Sequence, residues 1–168
     1  MNPLAILGLV ASLTTDSTQP LQSPANAFAP VGCPYTINFP LPPVITETDG
    51  PDGSSDSAAD IVVDGYRLAA VCIASSSTGS KQIEDADPKI VHDKIAVLVE
   101  ALGIRGADID TSTIPGCYDV QGDLQQQPQP YRVLARYCER ASSTFIAEEI
   151  FPIGEQPPDT FLSALQAK

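Results

Sequence analysis

Proline constrains this chain more than any other residue. Nine of its sixteen prolines (Pro3, Pro20, Pro24, Pro30, Pro34, Pro40, Pro42, Pro43 and Pro51) fall within the first 51 residues. Each locks its own φ, removes a backbone donor and pushes the preceding residue into extended geometry. From Thr14 to Val44 no hydrophobic period persists, so this stretch is expected to be an irregular or polyproline-like arm. Its composition is nevertheless apolar in patches: Phe28, Val31, Tyr35, Ile37, Phe39, Leu41, Val44 and Ile45. An extended arm with such side chains needs a surface to lie on.

Charge changes character in the same part of the chain. The first basic residue is Arg67, so residues 1–66 carry seven acids and no base, while the remainder carries nine bases and fourteen acids. Residues 46–60, TETDGPDGSSDSAAD, offer almost nothing to bury and read as a flexible linker. The expected organisation is an arm and linker over residues 1–60 followed by a compact body over 61–168. A chain of 168 residues is long enough to bury a real core without metals. The formal net charge of −12 repels phosphate backbones and anionic lipid surfaces, so neither nucleic acid nor membrane is an expected partner.

The clearest local signal is Ile61-Val62-Val63, then Asp64-Gly65, then Tyr66 to Ala74: two β-favouring runs around a two-residue turn of type I′ character. The next is a helix over 87–102. Asp87 can cap its free amides, Pro88 suits its first position, Val91, Ile95, Leu98 and Leu102 mark one face, and Gly103 ends it. Residues 104–130 read as loops with one short strand. Between Tyr131 and Phe151 two readings compete: Pro130 followed by Leu134, Ala135 and Cys138 suits a helix, whereas Val133, Ala135 and Tyr137 alternate as in a strand. The β-branched and aromatic residues of 144–151 favour a second hairpin, and Asp159 or Thr160 can cap a short terminal helix through Leu165. A short helix over 3–13 fits the spacing of Leu4, Leu7 and Val10. Together these predict an α+β fold: a mainly antiparallel sheet with one principal helix packed on it, and a Pro-rich arm outside that unit.

Four cysteines, Cys33, Cys72, Cys117 and Cys138, contain no close pair, and the single histidine, His92, has no cysteine near it. Zinc ligands normally come in close pairs, so no metal is expected. Two disulfides or four free thiols both fit this pattern. The apolar run from Leu4 to Leu13 has the length of a signal-peptide core but lacks a basic flank, and Ala25-Asn26-Ala27 lies too far beyond it for an ordinary cleavage region.

Several patterns echo chemistry without completing it. Asp108-Ile109-Asp110-Thr111-Ser112 is similar to the loop of aspartate-based phosphatases, but no buried apolar strand precedes it and Ser112 stands at the fifth position. Ser75 to Lys81 lacks the glycine spacing of a phosphate-binding loop. Asp49, Asp52, Asp56 and Asp60 match no frame of a calcium loop. His92 has no nucleophile signature beside it. No catalytic, cofactor-binding or metal residue is therefore expected. The sequence favours a structural or assembly subunit that docks on other protein chains of a large complex, such as a virion or tail, through Phe28, Val31, Tyr35, Ile37, Phe39 and Leu41. A secreted, disulfide-stapled binding module is the alternative, and a small hydrolase with an aspartate-based site the third.

Overall fold

The computed structural model of the chain describes residues 26–50, 53–75, 87–125, 129–140, 142–155 and 161–168. The predicted helix over 3–13, most of the Ser75–Lys81 segment, Asp52, and the capping positions Asp159 and Thr160 lie outside the described residues. In chain order the elements are β1 (Ala27–Phe28), β2 (Tyr35–Asn38), β3 (Val44–Asp49), β4 (Ser55–Val63), β5 (Tyr66–Ala74) and α1 (Pro88–Ala101). They continue with β6 (Ile104–Thr111), β7 (Cys117–Leu124), β8 (Tyr131–Arg140), β9 (Ser143–Pro152), a 3-10 turn over Leu162–Ala164, and β10 (Gln166–Ala167).

The predicted hairpins organise the main sheet. Asp64 and Gly65 both adopt positive φ, 50° and 85°, the left-handed pair that a two-residue turn matching strand twist requires. That turn joins β4 to β5 in an unbroken register from Ser55↔Ala74 to Val63↔Tyr66. β8 and β9 form the second hairpin, from Tyr131↔Pro152 to Arg140↔Ser143. Long-range pairing of β5 with β9 joins the two hairpins at the centre of a seven-stranded antiparallel sheet, ordered β3-β4-β5-β9-β8-β7-β6.

Helix α1 follows its capping signals, while Val99, rather than the expected Leu98 and Leu102, which are half-buried, completes its buried stripe. The Asp87 carboxylate accepts from the Lys89 amide at 2.9 Å, Pro88 occupies the first turn, and Val91, Ile95 and Val99 are buried. These three pack on Tyr118, Val120 and Tyr137, with Ile104, Ala107, Ile109, Ala135 and Ile146 around them. The face of the sheet that receives the helix is the helix face.

On the opposite face residues 27–39, the described part of the Pro-rich arm, pack within the folded unit rather than outside it. β1 and β2 pair with each other, β10 pairs with β2, and this three-stranded sheet covers the main sheet. Phe28, Tyr35, Ile37 and Phe39 pack there with Leu68, Ala70, Cys72, Phe145, Ala147, Phe161 and Leu165. Tyr35, Ile37 and Phe39 alternate with Thr36 and Asn38, a period of two that places one set of side chains inward. We call this the arm face.

Two further expectations are corrected. Residues 46–60 are not a linker but largely strand: β3 and β4 pair from Val44↔Asp60 to Asp49↔Ser55, so the sheet begins before residue 61. Backbone pairing needs little side-chain burial at an edge, and every residue of β3 is exposed. Residues 104–124 are mostly two paired strands rather than loops, with a register irregularity between Arg105 and Asp108. The terminal helix is a single 3-10 turn.

Candidate functional site

The six residues expected to dock on another chain divide. Phe28, Tyr35, Ile37 and Phe39 are 2%, 0%, 0% and 3% exposed, whereas Val31 and Leu41 are 76% and 51% exposed. A side chain filling its own core offers no free surface, so the four buried residues are corrected from partner anchors to core. Ring packing explains their hold: Tyr35 and Phe28 lie 5.6 and 6.3 Å from Phe145, and Phe39 lies 4.8 Å from Phe161.

Covalent and polar ties reinforce the arm. Cys33 is bonded to Cys72 on β5, and Cys117 to Cys138, which face each other across β7 and β8. Arg140 Nε donates to Tyr35 Oη at 2.7 Å, with the guanidinium over the tyrosine ring. Lys168 Nζ donates to the Pro30 and Cys33 carbonyls at 3.1 and 2.9 Å, and burial lowers its pKa. A cleft of about 630 Å³ opens beside these groups, lined by Pro30, Val31, Pro34, Arg140, Ser142 and Lys168. Its two cations are already engaged in holding the arm, so the cleft has a structural explanation.

The sequence patterns that echoed catalysis do not converge. Asp108 and Asp110 lie within β6, with Asp110 opposite Asp119 in the neighbouring strand. His92 is half exposed and 4.0 Å from Asp93. Asp60 is held bidentately by Arg67, at 3.1 and 2.9 Å. Among the described residues no group of His, Cys, Asp or Glu is arranged to hold a metal.

One charged cluster escaped the sequence reading. Arg67 on β5 bridges Asp60 on β4 and Glu148 on β9, the latter at 3.6 Å. Ala69 stands opposite both acids, so all four residues share the helix face. Glu148 is 6% exposed, and among the described residues its Oε1 has no hydrogen-bond partner. Burial pushes its carboxyl up to about 7 against the pull of Arg67, with Asp60 adding to the rise. The neighbouring Glu149 faces the other way and accepts from the Leu162 amide at 3.0 Å, anchoring the C-terminal turn. No local pattern announces the cluster, because long-range strand pairing brings its members together.

Among the described residues, a surface left open lies at the β3–β4 end. α1 covers the β6 to β8 side of the helix face, and the arm covers the middle of the other face. Val44, Ile45 and Val62 remain 72%, 46% and 68% exposed. Elsewhere bases meet acids: Arg132 with Asp123, Arg136 with Asp119, and Lys94 with Glu139, which also accepts from the Tyr137 hydroxyl. Among the described residues no cation pairs with Glu47, Asp49 or Asp56, so the β3–β4 end is apolar, acidic and uncovered.

The sequence matches no protein-family model, and no curated protein matches it. Among solved structures, a crystal structure from Bacteroides thetaiotaomicron VPI-5482 at 1.50 Å resolution is similar to the chain with a TM-score of 0.44 and 14% identity. The likeness covers 86% of this chain and 48% of that one, so the chain spans about half the length of its match.

Proposed function

We propose that this protein is a non-enzymatic binding subunit that docks on other protein chains, stapled by two disulfides for use in an oxidising compartment. The observation that carries the reading is the β3–β4 end, where Val44, Ile45 and Val62 stay exposed beside a strand edge that no other described strand pairs with. Exposed apolar groups and an open edge both invite a partner. Of the six docking residues that the sequence-based expectation named, Val31 and Leu41 are exposed and the other four are core, so the proposed docking surface moves to the sheet.

The disulfides support the compartment. Such bonds persist outside the reducing cytosol, and a secreted module or the exterior of a virion both meet that condition. The size of the native particle, measured without reductant, tests the reading. A particle well above 17.7 kDa is expected; elution of the native protein as a lone monomer would defeat it. Thiol counting on the denatured, unreduced chain tests the compartment, with no reactive thiol expected and four overturning it.

A further inference from the structure

The two edges of the main sheet are built differently. β6 carries a register irregularity around Gly106, and Ile104, Ala107 and Ile109 pack beneath α1. A kinked strand held by a helix is a poor template for another chain. β3 has neither device: its six residues pair one for one with β4, no proline lies within it, and no described element occupies its outer side. The edges of the small sheet are only two residues long. In antiparallel pairing, alternate residues of an edge strand turn their N–H and C=O groups outward, so β3 presents a row of backbone groups about 20 Å long that pair with no other described strand.

The side chains of β3 select the occupant. Glu47 and Asp49 lie two residues apart, on the arm face with Ile45, while Val44, Thr46 and Thr48 lie on the helix face. A second copy pairing at this edge would bring two more acids to it, in a protein of net charge −12. Like charges directly opposed across strands are unfavourable, and opposite charges are favourable. The acids thus disfavour self-pairing and favour a strand of the other sign.

We propose that β3 receives an extended, basic segment of another protein as an eighth strand, with two Lys or Arg residues spaced by one facing Glu47 and Asp49. Backbone hydrogen bonds hold the incoming strand, and the alternate basic residues set its register and face. The proposal rests on the protein-binding reading and names the partner chemistry of that surface.

The test uses the full-length, oxidised chain and a fluorescein-labelled octapeptide of alternating Lys and Thr, capped at both ends, read by anisotropy. Two analogues carry N-methyl groups on alternate amides, one in each phase. One phase blocks the bonds to β3 and the other does not, so about a tenfold difference in Kd is expected between them. The Glu47→Lys/Asp49→Lys double variant should bind the parent peptide at least about tenfold more weakly while keeping the parent melting temperature. Equal binding of both methylated analogues would reduce the interaction to bulk charge and overturn strand addition. Unchanged affinity in a folded double variant would overturn the assigned register. If that variant does not fold, the methylation comparison on the parent chain still decides. Self-association of the parent chain through β3 would also defeat the proposal. A large native particle with no peptide binding removes this inference but leaves the binding-subunit reading, and peptide binding by a native monomer does the reverse.

Discussion

The two faces of the main sheet are covered in opposite ways. On the helix face a single regular element does the work: α1 supplies its own backbone hydrogen bonds and needs only a stripe of aliphatic side chains, Val91, Ile95 and Val99, to dock. On the arm face the cover is assembled from pieces distant in sequence, residues 27–39 and 161–167, whose strands are two to four residues long. Short strands form few backbone bonds, so that cover depends on aromatic packing, a disulfide to β5, Lys168 donating to the Pro30 and Cys33 carbonyls, and Arg140 donating to the Tyr35 hydroxyl. Regular secondary structure docks through a pattern; irregular cover needs ties to specific atoms.

This contrast predicts where the molecule breaks. Deleting residues 1–40 removes Phe28, Tyr35, Ile37 and Phe39 together and uncovers Phe145 and Leu68. The remaining chain should lose its cooperative thermal transition, a cost comparable to the whole stability of about 5–15 kcal/mol typical of a domain. A truncated body that still melts sharply would show that the arm is dispensable, and the arm face would cease to be core.

Opening the Cys33–Cys72 bond by a Cys33→Ala/Cys72→Ala double substitution is the next largest effect. The bond closes a loop of 39 residues, and loop-closure entropy gives roughly 4 kcal/mol for a loop of that size. Denaturant unfolding should report a loss near that value. A loss below about 1 kcal/mol would mean that packing alone holds the arm.

The helix face should tolerate damage more locally. Ile95→Ala, at the centre of the buried stripe, is expected to cost about 3 kcal/mol while leaving the arm in place. Protection of arm-face amides from hydrogen exchange would check the second half. Equal loss of protection at β2 and α1 would show that the two covers unfold as one unit.

Glu148 gives the smallest effect and the one with a pH signature. Its carboxyl is raised from 4.5 to about 7 by burial, so the folded state holds that proton more tightly than the unfolded chain. Its contribution favours folding below about pH 4.5 and is lost as pH rises through about 7. Glu148→Gln keeps the neutral form at every pH, and Arg67 keeps its bidentate partner Asp60. The substitution should change little at pH 4.5 and stabilise by roughly 1–3 kcal/mol at pH 8. Destabilisation at pH 8 would show instead that the Arg67–Glu148 pair is net favourable.

What the sequence determined by itself is the set of local decisions. Asp64-Gly65 dictates a tight hairpin because few residues tolerate two successive positive φ values. Asp87, Pro88 and Gly103 delimit α1 because its orphan amides and final turn need those residue types. The alternation and β-branched content of 131–151 favour a second hairpin, but Leu134, Ala135 and Cys138 after Pro130 also fit a helix, and pairing of β8 with β7 and β9 decides between them. The pattern Tyr35, Ile37, Phe39 was also present, a period of two hidden among prolines and readable as a strand with one buried face.

Tertiary structure decided the rest. Residues 46–60 lack any apolar pattern, and they form strands because β5 offers β4, and β4 offers β3, a ready row of backbone partners. The disulfide connectivity depends on which strands lie opposite one another, a property of topology that four widely spaced cysteines cannot encode locally. Arg67 and Glu148 stand 81 residues apart and meet only because β5 pairs with β9. Whether an apolar arm side chain reaches outward or completes its own core depends on the open face of the body. Only the folded sheet, presenting Leu68, Ala70 and Phe145 to Phe28 and Tyr35, supplies that face.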